Sequence, residues 1–171
     1  MESAPTTTVS ICEGCEDMIK EVADKDLKRA IDLVNDVFSE FVAVDYSEQG
    51  KNTFAAYLKG KLEEIAADLQ SGKKKMWAYY QDDEMIGVIA TRDDCHITLM
   101  FVDKRYHRKG IARQMFAFVL EELKKAKGAA EITVNSSPYA VEAYERLGFV
   151  KTGEQQEKDG IIFIPMMRPA Q

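Results

Sequence analysis

The spacing of apolar residues in this chain changes once, at Ser71-Gly72, and that change limits what the chain can become. Before it the spacing is helical. Leu27, Ala30, Ile31, Val34, Val37, Phe38 and Phe41 predict a helix over 26–42. Phe54, Tyr57, Leu58, Leu62, Ile65 and Leu69 predict a second over 54–69, after a polar break from Asp45 to Asn52. Beyond Ser71-Gly72 the period falls to two. Strands are expected at 75–80 and 85–91, joined by the turn QDDE, and at 96–102, where Ile97, Leu99 and Phe101 share a face. Helical spacing returns over 111–125 and ends at Gly128, and a short strand follows at 131–134. Ser137 is placed to cap a helix with Pro138 in its first turn, running to Leu147 and stopping at Gly148. Strand pattern resumes at Phe149 and again at 161–167, after the turn Lys158-Asp159-Gly160. Two helices, a meander, then strand–helix–strand–helix–strand–strand describe an α/β (α+β) domain with a mixed sheet. There is no internal repeat and no low-complexity tract.

With 171 residues, 46% apolar and 30% charged, the chain has the size and composition of one globular domain. Its apolar runs are too short to span a bilayer, which argues against a membrane partner. MESAPTTTVS lacks the basic and apolar regions of a secretory signal, and three cysteines, an odd number, do not make a disulfide framework. The expected location is cytoplasmic. Residues 1–17 read as a flexible N-terminal tail and 18–171 as the domain, with Met18 an alternative start. Cys12 and Cys15 have metal-like spacing, but no second pair completes four ligands, so inert thiols and no metal are expected. Lys73, Lys74 and Lys75 read as a solvated strand entry. Trp77 and Tyr79 share a strand face suited to core or to a homodimer contact, and Met166-Met167 read as packing residues.

The feature that needs explaining is YHRKGIARQMF, residues 106–116. It places His107, Arg108, Lys109 and Arg113 around Gly110, in a chain whose net charge is -6. A local basic knot in an acidic chain points to a specific anion rather than to nucleic acid, which needs a broad basic surface. The free N–H groups and positive dipole end of a helix beginning at Ile111 attract an anion, and the small residues Gly110 and Ala112 let it approach the backbone. Arg108, Lys109 and Arg113 add charge-assisted hydrogen bonds, with Lys104 and Arg105 placed to meet a further phosphate at the rim. The loop is neither a Walker loop nor a dinucleotide fingerprint, both of which need more glycines.

ITLMFVDKRYHRKGIARQMF resembles the acetyl-coenzyme A motif of the GNAT superfamily of N-acetyltransferases, Gln/Arg-x-x-Gly-x-Gly/Ala after a strand ending in an apolar residue-x-Val. The match is 107–112 after Phe101-Val102, with His107 in place of Gln or Arg. NSSPYAVEAYERLGF, residues 135–149, resembles the family's Asn…Ala…Tyr-x-x-x-Gly-Phe segment. The resemblance implies a mostly antiparallel sheet, flanked by about four helices and splayed between its fourth and fifth strands, here 96–102 and 131–134. Backbone at Met100, Phe101 and Val102 would pair with the pantetheine of acetyl-CoA. The loop His107, Arg108, Lys109, Gly110, Ile111 and Ala112, with Arg113, would hold the pyrophosphate, and Asn135 the pantetheine arm. Tyr144 would lie near the thioester sulfur.

The implied activity is acetyl transfer to a primary amine by direct attack in a ternary complex. A phenol of pKa about 10 carries its proton at neutral pH and can give it to a leaving sulfur, so Tyr144 is a candidate general acid, although its spacing with Ala140, Val141 and Leu147 also fits a core residue. An amine of pKa about 10.4 must lose a proton first. Candidate bases are His96, Asp94 and Glu40. The family's acceptor pocket corresponds to 38–57, where Glu40, Asp45 and Glu48 suit a cationic acceptor. A small-molecule amine is expected, and a protein amine is the other class of acceptor. The competing readings are a non-catalytic CoA-binding or protein-interaction module on the same fold, and an unrelated α/β domain.

Overall fold

The computed structural model describes residues 7–8, 17–59, 62–93, 95–127 and 131–169. The elements run β1 (Thr7–Thr8), β2 (Asp17–Glu21), α1 (Leu27–Val37), α2 (Glu48–Lys59), α3 (Leu62–Gln70), β3 (Lys74–Gln81), β4 (Glu84–Arg92), β5 (His96–Val102), α4 (Ile111–Lys127), β6 (Glu131–Ser136), α5 (Val141–Arg146), β7 (Val150–Lys151), β8 (Gln156–Lys158) and β9 (Ile161–Pro169). The sheet order is β1-β2-β3-β4-β5-β6-β9-β7, and β8 pairs with β9. Every pairing is antiparallel except β5 with β6. That pair is parallel because α4 carries the chain back across the sheet between them.

The expected α/β mixed, mostly antiparallel sheet is present, with three differences. First, β2 carries no sequence signal strong enough to separate it from a tail. Asp17 is nonetheless its first residue, fully buried and accepting a 3.1 Å hydrogen bond from Gln81, and Thr7–Thr8 pair with Met18 and Ile19. Counted from β2, β5 and β6 are the fourth and fifth strands. Second, the single helical pattern over 54–69 is two helices, so five α-helices are described instead of about four. The polar stretch opens α2 rather than breaking the fold, because Ser47 Oγ accepts from the Gly50 amide (3.2 Å) and caps it. Third, the Asp159-Gly160 turn, both residues at positive φ, makes a hairpin of β9 with a strand, β8, that polarity had hidden.

The sheet separates two cores. On one face α4 and α5 cover Ile97, Val102, Met115, Phe116, Ile132 and Phe149. On the other, α1, α2 and α3 cover Met76, Val88, Leu99 and their neighbours. Gly87 sets the height of α4, since a Cβ there would lie 2.8 Å from Met115 Sδ. After Val37, α1 widens into a π-helical turn, Phe38–Val42, and tightens into a 3-10 turn, Ala43–Asp45. Phe38 and Val42 are buried there, while Phe41 is left half-buried at the surface. This front segment is locked to the β8–β9 hairpin. Tyr46 donates to the Ile162 carbonyl (2.9 Å), Thr53 donates to the Asp159 carbonyl (2.8 Å), and Gly50 lies directly against Gly160.

Candidate active site

β5 and β6 pair only at His96 with Thr133 and Ile97 with Val134. Among the described residues no ladder pair joins them further on, so the stretch from Thr98 to Val102 presents an open backbone edge inside the sheet. A bulge marks where the opening begins. β4 pairs Ala90 with Leu99 and Thr91 with Ile97, leaving Thr98 unmatched. An open edge of alternating N–H and C=O groups is a template for an extended, amide-bearing ligand. Met100, Phe101 and Val102 lie on this stretch, and the β4 register turns the peptide groups of Met100 and Val102 to the open side and those of Phe101 to Val88. Asn135 is exposed and is the first residue of β6 beyond the paired stretch, so it borders the same opening.

Val102 leads into the basic loop, where the charges divide into two groups. Arg105 is committed to Asp103 and Glu84, and its guanidinium holds both carboxyls below their usual range. Lys104 pairs with Glu40 at 3.1 Å. The rim role expected of Lys104 and Arg105 is therefore not what this structure shows, since both cations face carboxylates of their own chain. Arg108, Lys109 and Arg113 are exposed, and none has a carboxylate partner among the described residues. Lys109 rests over the Tyr106 ring, 5.0 Å from its centroid. Arg108 (φ 59) and Gly110 (φ 81) are both left-handed, and a non-glycine residue held there costs about 1–2 kcal/mol. The loop thus places three unpaired cations at the positive end of the 17-residue α4, whose first residue, Ile111, is buried and anchors it.

His107, the departure from the family pattern, has a structural role. Its Nε2–H donates to the Val102 carbonyl at 2.8 Å, tying the loop to the end of β5 and fixing the ring tautomer. Its ring lies 5.0 Å from that of Phe41, and Phe41 lies 5.7 Å from Tyr139 in the turn before α5. These three rings cross the mouth of the opening, linking the ends of β5, β6 and the π-helical turn. Sequence reasoning missed this arc, because Phe41 reads there as one more apolar position of α1.

Tyr144 is buried on α5, its ring edge-on to Phe149 at 5.4 Å. Burial pushes its hydroxyl well above the usual phenol range, so it stays protonated at neutral pH. His96 stands at the closed end of the splay, four residues before Met100, with Nδ1 2.8 Å from Thr133 Oγ1. Burial, helped by Arg92, lowers its pKa below the ordinary histidine value and keeps it neutral at pH 7. The structure does not bring Tyr144 and His96 into contact. Of the other candidate bases, Glu40 is engaged by Lys104, and Asp94 lies outside the described residues, as do Cys12 and Cys15. Glu48 is paired with Lys51 at 2.8 Å. An open groove of about 730 Å3 runs along α1 past Asp32, Asp36 and Glu40 to Glu84 and Arg105, on the β4 side of β5 rather than in the splay. Among the described residues, no cluster of three or more His, Cys, Asp or Glu is placed to hold a metal ion, and no helix is long and apolar enough to cross a membrane.

A family model described as the acetyltransferase (GNAT) domain matches residues 42–168. That covers most of the chain, which therefore belongs to the GNAT acetyltransferase family. Among curated proteins, the UPF0157 protein YqkA of Bacillus subtilis (strain 168) is 27% identical over 104 residues, which are 59% of this chain and 30% of that protein. The chain thus spans under a third of the length of that relative. A solved structure described as a GCN5-related N-acetyltransferase (aminotransferase, class-II) from Rhodopseudomonas palustris superposes with a TM-score of 0.76 at 19% identity, over 88% of this chain and 94% of that one. The PaiA N-acetyltransferase from Thermoplasma acidophilum, solved in complex with coenzyme A, gives 0.73 at 17% identity, over 90% and 99%. At these identities the likeness is one of fold.

Proposed function

We propose that this protein transfers an acetyl group from acetyl-CoA to a primary amine by direct attack. One observation carries the reading: an unpaired strand edge, Thr98–Val102, leads straight into a helix N-terminus flanked by three cations without carboxylate partners. An extended amide arm ending in phosphates matches that order of groups. The Gly110–Arg113 turn and the side chains of Arg108, Lys109 and Arg113 bind the pyrophosphate. Backbone at Met100 and Val102 holds the arm, with Asn135 across from it.

When bound, acetyl-CoA supplies an acyl group activated as a thioester. The amine nitrogen forms a bond to the acetyl carbon as the carbon–sulfur bond breaks. Burial keeps Tyr144 protonated; it gives that proton to the departing sulfur and takes one back from the nitrogen, which sheds its second proton as the amide forms. A backbone N–H from around Val102 donates to the carbonyl oxygen as charge develops. Neutralising an alkylammonium at pH 7 costs roughly 4–5 kcal/mol. His96, neutral at that pH, takes this proton through intervening water, since it lies several residues back from Met100.

The test is thermal unfolding with and without about 1 mM acetyl-CoA. A dissociation constant near 10 μM stabilises by roughly 2.7 kcal/mol, a rise of several degrees. Gly110→Asp places a carboxylate at the anion site and a side chain at φ 81, and is expected to abolish the rise. No rise in the wild-type chain overturns the reading.

A further inference from the structure

Resting on the acetyltransferase reading, the front wall of the cleft narrows the acceptor. On one face of the sheet, α4 packs over β5 and β6 through Met115, Phe116 and their neighbours. The amine must therefore reach the thioester from the opposite face, past the segment 38–46. Three carboxylates lie over 38–57: Glu40 is paired with Lys104 and Glu48 with Lys51, while Asp45 is exposed. A polycation would have to compete with lysines already in place.

What the wall offers instead is apolar. Among the described residues, the exposed large apolar side chains are Val44 (71% exposed), Tyr139 (50%) and Val150 (58%). Tyr139 packs against Phe41, with planes 32° apart, and Val44 lies three residues further along the same front segment, in the 3-10 turn that follows the π-helical one. Leaving such groups in water is unfavourable unless something covers them, and an exposed apolar patch at a cleft mouth marks a ligand surface. We propose that the acceptor is a small primary amine bearing an apolar or aromatic group, which Phe41, Val44 and Tyr139 hold while its nitrogen reaches the thioester. The π-helical turn is the device that makes this surface. With Phe38 and Val42 anchored in the core, the widened turn leaves the Phe41 ring at the mouth.

The experiment follows thiol release from acetyl-CoA by the full chain with 2-phenylethylamine, ethylamine, spermidine and a short peptide with a free N-terminus, alongside calorimetric binding of coenzyme A. The expected kcat/KM for 2-phenylethylamine exceeds that for ethylamine by about tenfold or more, as an apolar contact of this size allows. Val44→Asp, at a position too exposed to threaten folding, and Phe41→Ala are each expected to cut that ratio at least threefold. Val150→Asp, a control far along the chain, leaves it unchanged. Preference for spermidine or the peptide, or a ratio untouched by both mouth variants, overturns this inference and leaves acetyl transfer standing. No thiol release with any of the amines overturns the acetyltransferase reading and the inference together, and coenzyme A binding then tells a non-catalytic module from an unrelated domain.

Discussion

The two walls of the cleft are built by opposite means. The α4 wall leaves three cations unpaired beside a helix N-terminus, and it docks on the sheet through a flexible side chain, Met115 over Gly87. The front wall pairs two of its three carboxylates internally, through Lys104–Glu40 and Lys51–Glu48. It is held by backbone lying on backbone, Gly50 against Gly160. A wall that keeps charge unpaired is poised for a charged ligand, because the desolvation and pairing are left for that ligand to complete. A wall that pairs its charges and exposes rings suits a ligand that is mostly apolar. On the proposed reading, the first wall holds the common, highly charged substrate and the second selects the variable one.

The largest effect should come from breaking the front wall at its backbone contact. In a helix, alanine is ordinarily favoured over glycine by about 1 kcal/mol. At Gly50 a Cβ would lie 2.0 Å from the Gly160 carbonyl oxygen, and neither backbone is free to yield. Gly50→Ala is expected to reverse the propensity gain and destabilise by about 3 kcal/mol, lowering the melting temperature by roughly 6–12 °C in a chain of this size. Gly87→Ala is the matched comparison on the other wall. There the added methyl meets the end of the Met115 side chain at 2.8 Å, which moves aside, so the loss should be smaller by at least half. Equal losses in the two variants, measured by thermal or urea unfolding, would erase the distinction between the walls.

These walls differ in how far the sequence revealed them. The α4 wall was legible because its parts are contiguous: strand, basic loop, glycine and helix follow one another over residues 96–113, and local physics decides what they do. The front wall joins residues more than a hundred positions apart, Tyr46 with Ile162 and Thr53 with Asp159, and no local pattern announces such pairs. Strand β2 was missed for a related reason. Five residues, DMIKE, are too few for a periodic signal, and their strand character comes from the register with β3, from Asp17–Gln81 to Glu21–Trp77. In the sequence His107 is only a departure from the motif, because its bond to the Val102 carbonyl depends on how the loop folds back.

Within the cleft, the chemistry should respond to one deletion and one titration. Tyr144→Phe keeps the ring that packs on Phe149 and removes only the proton, so kcat should fall at least tenfold while coenzyme A affinity is kept. Loss of affinity and stability instead would make Tyr144 a core residue only. His96 is held below its ordinary pKa by burial, so in the resting enzyme it is protonated, and lost as a base, only at acidic pH. Its contribution to stability is complete above the unfolded histidine value, about 6.5, and fades as pH falls toward the lower folded value. The acidic limb of kcat/KM should therefore lie below pH 6.5, and His96→Gln should lower the rate several-fold and flatten that limb. An unchanged profile removes His96 as the base.

The smallest effect tests the front wall's neutrality. Lys104 and Glu40 are both about half exposed, so their ion pair is worth at most about 1 kcal/mol and Lys104→Ala should hardly change the melting temperature. The substitution nevertheless leaves Glu40 uncompensated beside Phe41, adding one negative charge where an acceptor passes. At low salt, a dicationic amine should then gain about two- to threefold in kcat/KM relative to a monoamine of similar size, and 0.5 M salt should erase the gain by screening it. The sign is what matters. A gain for the dication means that the internal pair was masking a carboxylate the acceptor can sense, so the front wall's neutrality is a property of the pairing. No gain at any ionic strength would place Glu40 outside the path of the amine and leave the rings alone to decide what enters.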